Sequence, residues 1–111
     1  HHGGDMNIDH RITHDAVNVA CRPQPGCKVK SLFYFEVPCS TAWGDGFLPN
    51  YYIEISDTMD DKIAVASCYE SEFGEWPHPR SLSGIETLAQ MRGMAVGVDR
   101  AEAFIVGRIV A

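Results

Sequence analysis

The stretch that most constrains this chain is Ser31-Leu32-Phe33-Tyr34-Phe35-Glu36-Val37. Successive side chains of an extended segment face opposite ways, so a half-exposed strand shows apolar and polar residues in turn. Here both alternating sets are apolar or aromatic as far as Glu36. That is the pattern of a strand covered on both faces, as in a parallel sheet flanked by helices. Pro38 closes it, because proline has no N–H to give to a ladder.

Such a strand needs helices to cover it, and the spacing predicts three. Asn7 or Asp9 can cap a first helix that gathers Ile8, Ile12, Ala16, Val19 and Ala20 on one side and ends at Arg22-Pro23. His10 and His14, four residues apart, share a face of that helix. Gln24 to Lys30 reads as a loop, Ser40 to Asn50 as a loop or broken helix, and Tyr51 to Ile55 as a second strand. Asp57 can cap a second helix whose stripe is Met59, Ile63, Ala66, Glu70 and Phe73. Trp76-Pro77-His78-Pro79-Arg80 must be irregular, since each proline restricts the residue before it. Ser83 and Glu86 are spaced as a capping box for a third helix that turns Ile85, Leu88 and Ala89 inward and ends near Gly97, and Ala103 to Arg108 forms a last strand. Helices alternating with short apolar strands predict an α/β layered fold with a mostly parallel sheet. Three strands and three helices scarcely cover both faces of such a sheet. The expectation therefore includes an N-terminal half beyond this chain.

At 111 residues and 45% hydrophobic, the chain is read as a single domain over residues 1–111. A formal charge of −6 argues against nucleic acid or an anionic membrane surface as the main partner, since both need clustered Lys and Arg. No apolar run approaches the ~20 residues of a membrane span, and no signal-peptide pattern opens the chain, so a cytoplasmic location is expected. Cys21, Cys27, Cys39 and Cys68 lack the close pairs of a structural zinc or redox motif, so free thiols are expected, with a disulfide framework as the alternative.

The chemistry gathers at His1-His2-Gly3-Gly4-Asp5-Met6-Asn7-Ile8-Asp9-His10-Arg11, with His14 one turn on. No other stretch is so dense in groups that bind metals or move protons. The competing readings are plain ones: a tag remnant for His1-His2, solvent-facing helix positions for His10 and His14, and loop-fixing roles for His78 and Arg80. Metal storage through His1, His2, Asp5 and His10 is a further reading.

That run, with Phe47-Leu48-Pro49-Asn50 ahead of Ile53-Glu54-Ile55-Ser56, the helix bearing Lys62, His78-Pro79-Arg80-Ser81 and Ala101-Glu102-Ala103-Phe104, resembles the C-terminal half of the PIG-L/LmbE-like zinc-dependent N-acetylglucosamine deacetylases. The resemblance implies a Rossmann-like three-layer fold. It also implies a zinc ion held by a His and an Asp of an N-terminal His-Pro-Asp-Asp-Glu motif and by a later His, which falls on His10. A second Asp of the absent motif would be the general base.

Zinc with three protein ligands keeps a place for water and polarises the amide carbonyl. The resemblance implies a supporting carboxylate at Asp9, with Asn7 as a hydrogen-bond donor to substrate; proton transfer then passes to His2, His1 or His78, or zinc alone stabilises the oxyanion, and the rigid His78-Pro79-Arg80 loop suits substrate contact through Arg80. Many family members carry a His where Asn7 stands, and an amide cannot carry a proton through a reaction. The implied substrate is an N-acetylated amino sugar, and an exposed apolar sheet edge makes a homo-oligomer the expected state. The alternative is a catalytically silent module that oligomerises or binds without catalysis.

Overall fold

The computed structural model describes residues 1–111. The elements are α1 (Ile8–Ala20), β1 (Ser31–Phe35), β2 (Tyr51–Glu54), α2 (Met59–Ser67), α3 (Leu82–Met94) and β3 (Ala101–Ile109), with single 3₁₀ turns at Thr41–Trp43, Ser56–Thr58 and Glu70–Glu72. The strands are ordered β1-β3-β2, so the last strand is the central one. β1 runs antiparallel to β3, with Ser31 opposite Ile109 and Phe35 opposite Phe104, and a register irregularity between Leu32 and Phe33. At the other edge the N–H of Asn50 donates to the Phe104 carbonyl at 2.9 Å and that of Ile55 to the Arg100 carbonyl at 3.0 Å. As β2 advances, its partners on β3 recede, so this pair is antiparallel too.

The fold is therefore α+β with an antiparallel sheet, and the expected Rossmann-like three-layer α/β fold with a mostly parallel sheet is incorrect. β1 is an edge strand with one neighbour, and none of its residues is fully buried. Its aromatic side chains serve ring contacts: Phe33 with Tyr51 and Phe104, Tyr34 with His14, Phe35 with His1. An edge strand with aromatic rings on both faces carries the same uninterrupted apolar text as a covered parallel strand. The pattern alone does not separate them.

The residues form two compact units, His1–Tyr51 with Phe104–Ala111, and Tyr52–Ala103. All five buried hydrophobic residues, Ile55, Met59, Ala89, Ala101 and Ala103, belong to the second. Ile63 and Ile85 pack against Ile55, Met59 and Ala89, which joins α2 to α3. α2 stops at Ser67, so Glu70 and Phe73 never extend its stripe, and Asp57 sits in the preceding 3₁₀ turn without capping it. α3 is capped by Ser81 rather than Ser83, its Oγ accepting the Gly84 N–H at 2.9 Å. Ion pairs Lys62–Glu102 at 2.6 Å and Arg100–Glu86 at 2.9 Å are partly exposed and contribute modestly.

In the first unit no hydrophobic residue is buried, and only Asp5 and Thr41 are. α1 docks through His10, His14 and Asn18, its only half-buried positions, while every other residue of the helix is exposed. The apolar stripe predicted to face a core thus points outward. Directional bonds fix this orientation. The His14 Nδ1–H donates to the His1 carbonyl at 2.8 Å, the Tyr34 hydroxyl donates to Asn18 Oδ1 at 2.7 Å, and Arg108 Nη2 donates to the Cys21 carbonyl at 2.7 Å just past the helix end. No helix is long and apolar enough to cross a membrane.

Gly93 shows how tightly the second unit is drawn at its C-terminal turn. A Cβ there would lie 2.6 Å from the Val98 carbonyl oxygen and 2.7 Å from that of Asp99, both backbone atoms, and Gly97 at φ +80° makes the return. Gly93→Ala is predicted to destabilise the protein by about 1–3 kcal/mol through this overlap, read by thermal or urea unfolding. Unchanged stability would contradict the close approach.

Candidate functional site

The first unit is organised around a carboxylate rather than an apolar core. Asp5 is 1% exposed, and each of its oxygens has two partners. Oδ1 accepts the Asn7 N–H at 2.8 Å and faces His10 Nδ1 at 3.1 Å. Oδ2 accepts the Thr41 hydroxyl at 2.6 Å and the Ser40 hydroxyl at 3.1 Å. Thr41 is oriented in turn, because its Oγ1 accepts the Val37 N–H at 2.7 Å. Cys39, at φ 79°, adopts the left-handed conformation that a side chain normally avoids, inside the turn that delivers Ser40 and Thr41.

The backbone holds these pieces together. The His2 N–H donates to the Phe35 carbonyl at 3.1 Å, Met6 to Ser40 at 3.2 Å, and Asp45 to Gly4 at 2.8 Å. A Cβ on Gly44 would overlap the Gly4 carbonyl oxygen, so this crossing requires glycine. Arg11 Nη1 donates to the carbonyls of Asp5 and Met6 at 3.0 Å each, tying the approach segment to the first turn of α1.

A ring nitrogen facing a carboxylate must donate, so a neutral His10 carries its proton on Nδ1 and leaves the lone pair on Nε2. A carboxylate holding one imidazole nitrogen while the other stays available is the arrangement that orients metal-ligating histidines in general. The His1 ring stacks on His10 at 3.9 Å between centroids and 8° between planes. In-plane lone pairs on parallel stacked rings do not converge on one point. Accordingly, no group of three or more His, Cys, Asp or Glu side chains is placed to hold a metal ion. The residues present fit one ligand position and not a complete set.

The other sequence-derived candidates fall as follows. Asn7 caps α1, its Oδ1 accepting the Asp9 N–H at 2.9 Å. Asp9 is exposed in the first helical turn, and the carboxylate that meets His10 is Asp5 instead. His2 Nε2 donates to the Asp45 carbonyl at 2.9 Å, and its ring meets Phe47 edge-on. In the second unit, His78 Nδ1 accepts the Arg80 N–H at 3.1 Å, which puts the proton of a neutral His78 on Nε2. Arg80 pairs with Glu72 at 3.3 Å on the surface. All four cysteines are free. Asp5, Ser40 and Thr41 were missed as a constellation because 35 and 36 residues separate the acid from its hydroxyl donors. The local hint was the Gly-Gly bend that lets the chain bring Asp5 inward.

Burial pushes the Asp5 carboxyl up, but the bonds from Thr41, the Asn7 N–H, Ser40 and His10 outweigh it and hold the group below its ordinary value of 3.8. A depressed folded-state pKa stabilises the fold fully above the unfolded value, and that contribution is lost as pH falls through the folded one. Thr41→Val removes the shortest of these bonds and strands the Val37 N–H. It is predicted to cost about 3 kcal/mol at neutral pH. The deficit relative to wild type should shrink as the pH drops below 3.8 and Asp5 protonates. A pH-independent deficit in urea unfolding would contradict the charged-carboxylate account.

Comparison of the chain with family models, with curated proteins and with solved structures returned no match.

Proposed function

We propose that this chain is the C-terminal portion of a zinc-dependent N-deacetylase acting on an N-acetylated amino sugar or sugar conjugate, working as a homo-oligomer, and that His10 is one of its zinc ligands. The observation that carries this reading is the Nδ1 contact of His10 with the buried Asp5 carboxylate, which aims a free Nε2 lone pair away from the acid. It supports a ligand histidine better than a surface one, because a solvent-facing imidazole needs no buried charge behind it. The chemistry that zinc supplies to amide hydrolysis is polarisation of the carbonyl and acidification of water.

The chain's own residues then have distinct tasks. Asp5 fixes the tautomer and ring plane of His10, and Ser40 and Thr41 keep Asp5 ionised and still. His2, its ring oriented by the Nε2 bond to the Asp45 carbonyl, would pass a proton to a leaving amine only from its doubly protonated form. Asn7, its oxygen committed to the helix cap, keeps its NH₂ for a substrate acceptor. Residues 1–111 supply His10 to the proposed site, and no group of three His, Cys, Asp or Glu side chains stands together among them. The second reading is a module that binds or self-associates without catalysis.

Calorimetric zinc titration separates the two readings. Zinc binding should weaken at least tenfold in His10→Ala, weaken about 10–100-fold in Asp5→Asn, where only the supporting carboxylate is changed, and persist in His14→Ala. An assembly that binds zinc stoichiometrically should release acetate from an N-acetylglucosamine conjugate. Equal zinc binding in wild type and His10→Ala would overturn the proposal and leave the non-catalytic module.

A further inference from the structure

We propose that Cys21 and Cys27 form a redox modification site, a pair of thiols that closes into an intramolecular disulfide when it meets a low-molecular-weight disulfide such as oxidised glutathione. The inference is independent of the zinc reading, since it involves neither His10 nor the groups around it.

The chain between the two cysteines turns back on itself. Cys21 caps the C-terminal end of α1, and the Cys27 N–H donates to the Gln24 carbonyl at 3.0 Å. That bond closes a tight turn with Pro25 and Gly26 at its centre. Gly26 has φ +86°, and proline followed by a residue of positive φ is the signature of a type II turn. The reversal comes six residues after the cap and leaves Cys27 Sγ 4.0 Å from the Cys21 carbonyl. Pro23 and Pro25 each fix one φ, which lowers the entropy lost when the ends of the loop are joined.

Exposure singles out the same pair. Between residues 21 and 30 only the two cysteines are half-covered, and every other residue is exposed. The thiols thus take the inner side of the loop and stay within reach of a small oxidant. Both arms of the loop are held on the central strand. Arg108 Nη2 donates to the Cys21 carbonyl at 2.7 Å and to the Val29 carbonyl at 3.1 Å, and Cys27 Sγ lies 4.0 Å from each of those oxygens. Thiols held in this way face each other at a high effective concentration. Nothing lies within 4 Å of the place a Cβ on Gly26 would take, so the turn has room for the approach that disulfide geometry requires.

The reaction is two exchanges. The Cys27 sulfur attacks one sulfur of oxidised glutathione, breaking its S–S bond and releasing one glutathione thiol. Cys21 then attacks the Cys27 sulfur of the mixed disulfide, forming the bridge and releasing the second glutathione thiol. The protein gives up two electrons and two protons, and the two glutathione molecules carry them away. The bridge ties the last turn of α1, where the Cys21 N–H donates to the Val17 carbonyl at 2.8 Å, to the loop ahead of β1. Exposed bridges are the readily reduced ones, so the modification is reversible.

Treating the reduced 111-residue chain with oxidised glutathione, followed by trypsin and mass spectrometry without reductant, tests the site. Residues 12–28 leave trypsin as one peptide with both cysteines, because the Arg22-Pro23 bond resists cleavage. That peptide should be two hydrogens lighter and free of glutathione, while Cys39 and Cys68 carry glutathione or remain thiols. In Cys21→Ser, Cys27 should retain its glutathione. Gly26→Val, strained at this φ but with no neighbour to strike, should slow bridging about tenfold. Hydrogen exchange at the Cys21 and Arg22 amides should slow about tenfold in the bridged form. Separate glutathione adducts on Cys21 and Cys27, a bridge from either to Cys39 or Cys68, equal bridging in Gly26→Val, or exchange at the end of α1 that the bridge leaves unchanged would each overturn the proposal.

Discussion

The first unit of this protein depends on one buried charge. Asp5 lies at 1% exposure with no hydrophobic residue of its own unit fully buried around it, so half-buried apolar contacts alone do not fix that region. Four donors, two on each oxygen, supply the specificity instead. Each hydrogen bond to an ionised group contributes about 1.5–3 kcal/mol, enough in sum to offset the cost of desolvating a carboxylate. The consequence runs outward through the structure. Thr41 and Ser40 bring in the turn after β1, the Asn7 N–H sets the start of α1, and His10 is the helix residue this carboxylate grips. A buried network of this kind tolerates little editing, because removing one partner leaves the others facing an unpaired charge.

Much of the local structure was legible in the sequence and the architecture was not. α1 begins after its Asn7 cap and ends ahead of Arg22-Pro23 as the capping residue and proline require, and Tyr51–Glu54 is a strand flanked by turn residues. Ile85 and Ala89 do turn towards the apolar contacts of α2. The sheet was misjudged because strand order and direction are long-range properties. β3 inserts between β1 and β2 after some fifty residues of intervening chain, and nothing in the alternation of Ala101 to Ile109 announces a central position. The candidate site was legible as a region and not as a constellation. His10 was singled out in the sequence, but its neighbouring Asp9 was named as its support where the structure uses Asp5.

The inversion of α1 follows from the same physics. Hydrophobic periodicity tells which residues share a face, not what that face meets. His10, His14 and Asn18 are also spaced on one face, and they have specific partners in Asp5, the His1 carbonyl and Tyr34. Directional bonds thus claim the polar face and leave Ile8, Ile12 and Val19 exposed.

The central claim is that Asp5 fixes the protonation of His10, and the ring nitrogens of His10 report on it directly. Long-range ¹H–¹⁵N correlation on the uniformly labelled protein at neutral pH should show a protonated Nδ1 and an unprotonated Nε2 at His10. Asp5→Asn should abolish that preference, moving the proton towards Nε2, the form favoured by a free imidazole. An Nε2–H tautomer in wild type, or one unaffected by Asp5→Asn, would contradict the account.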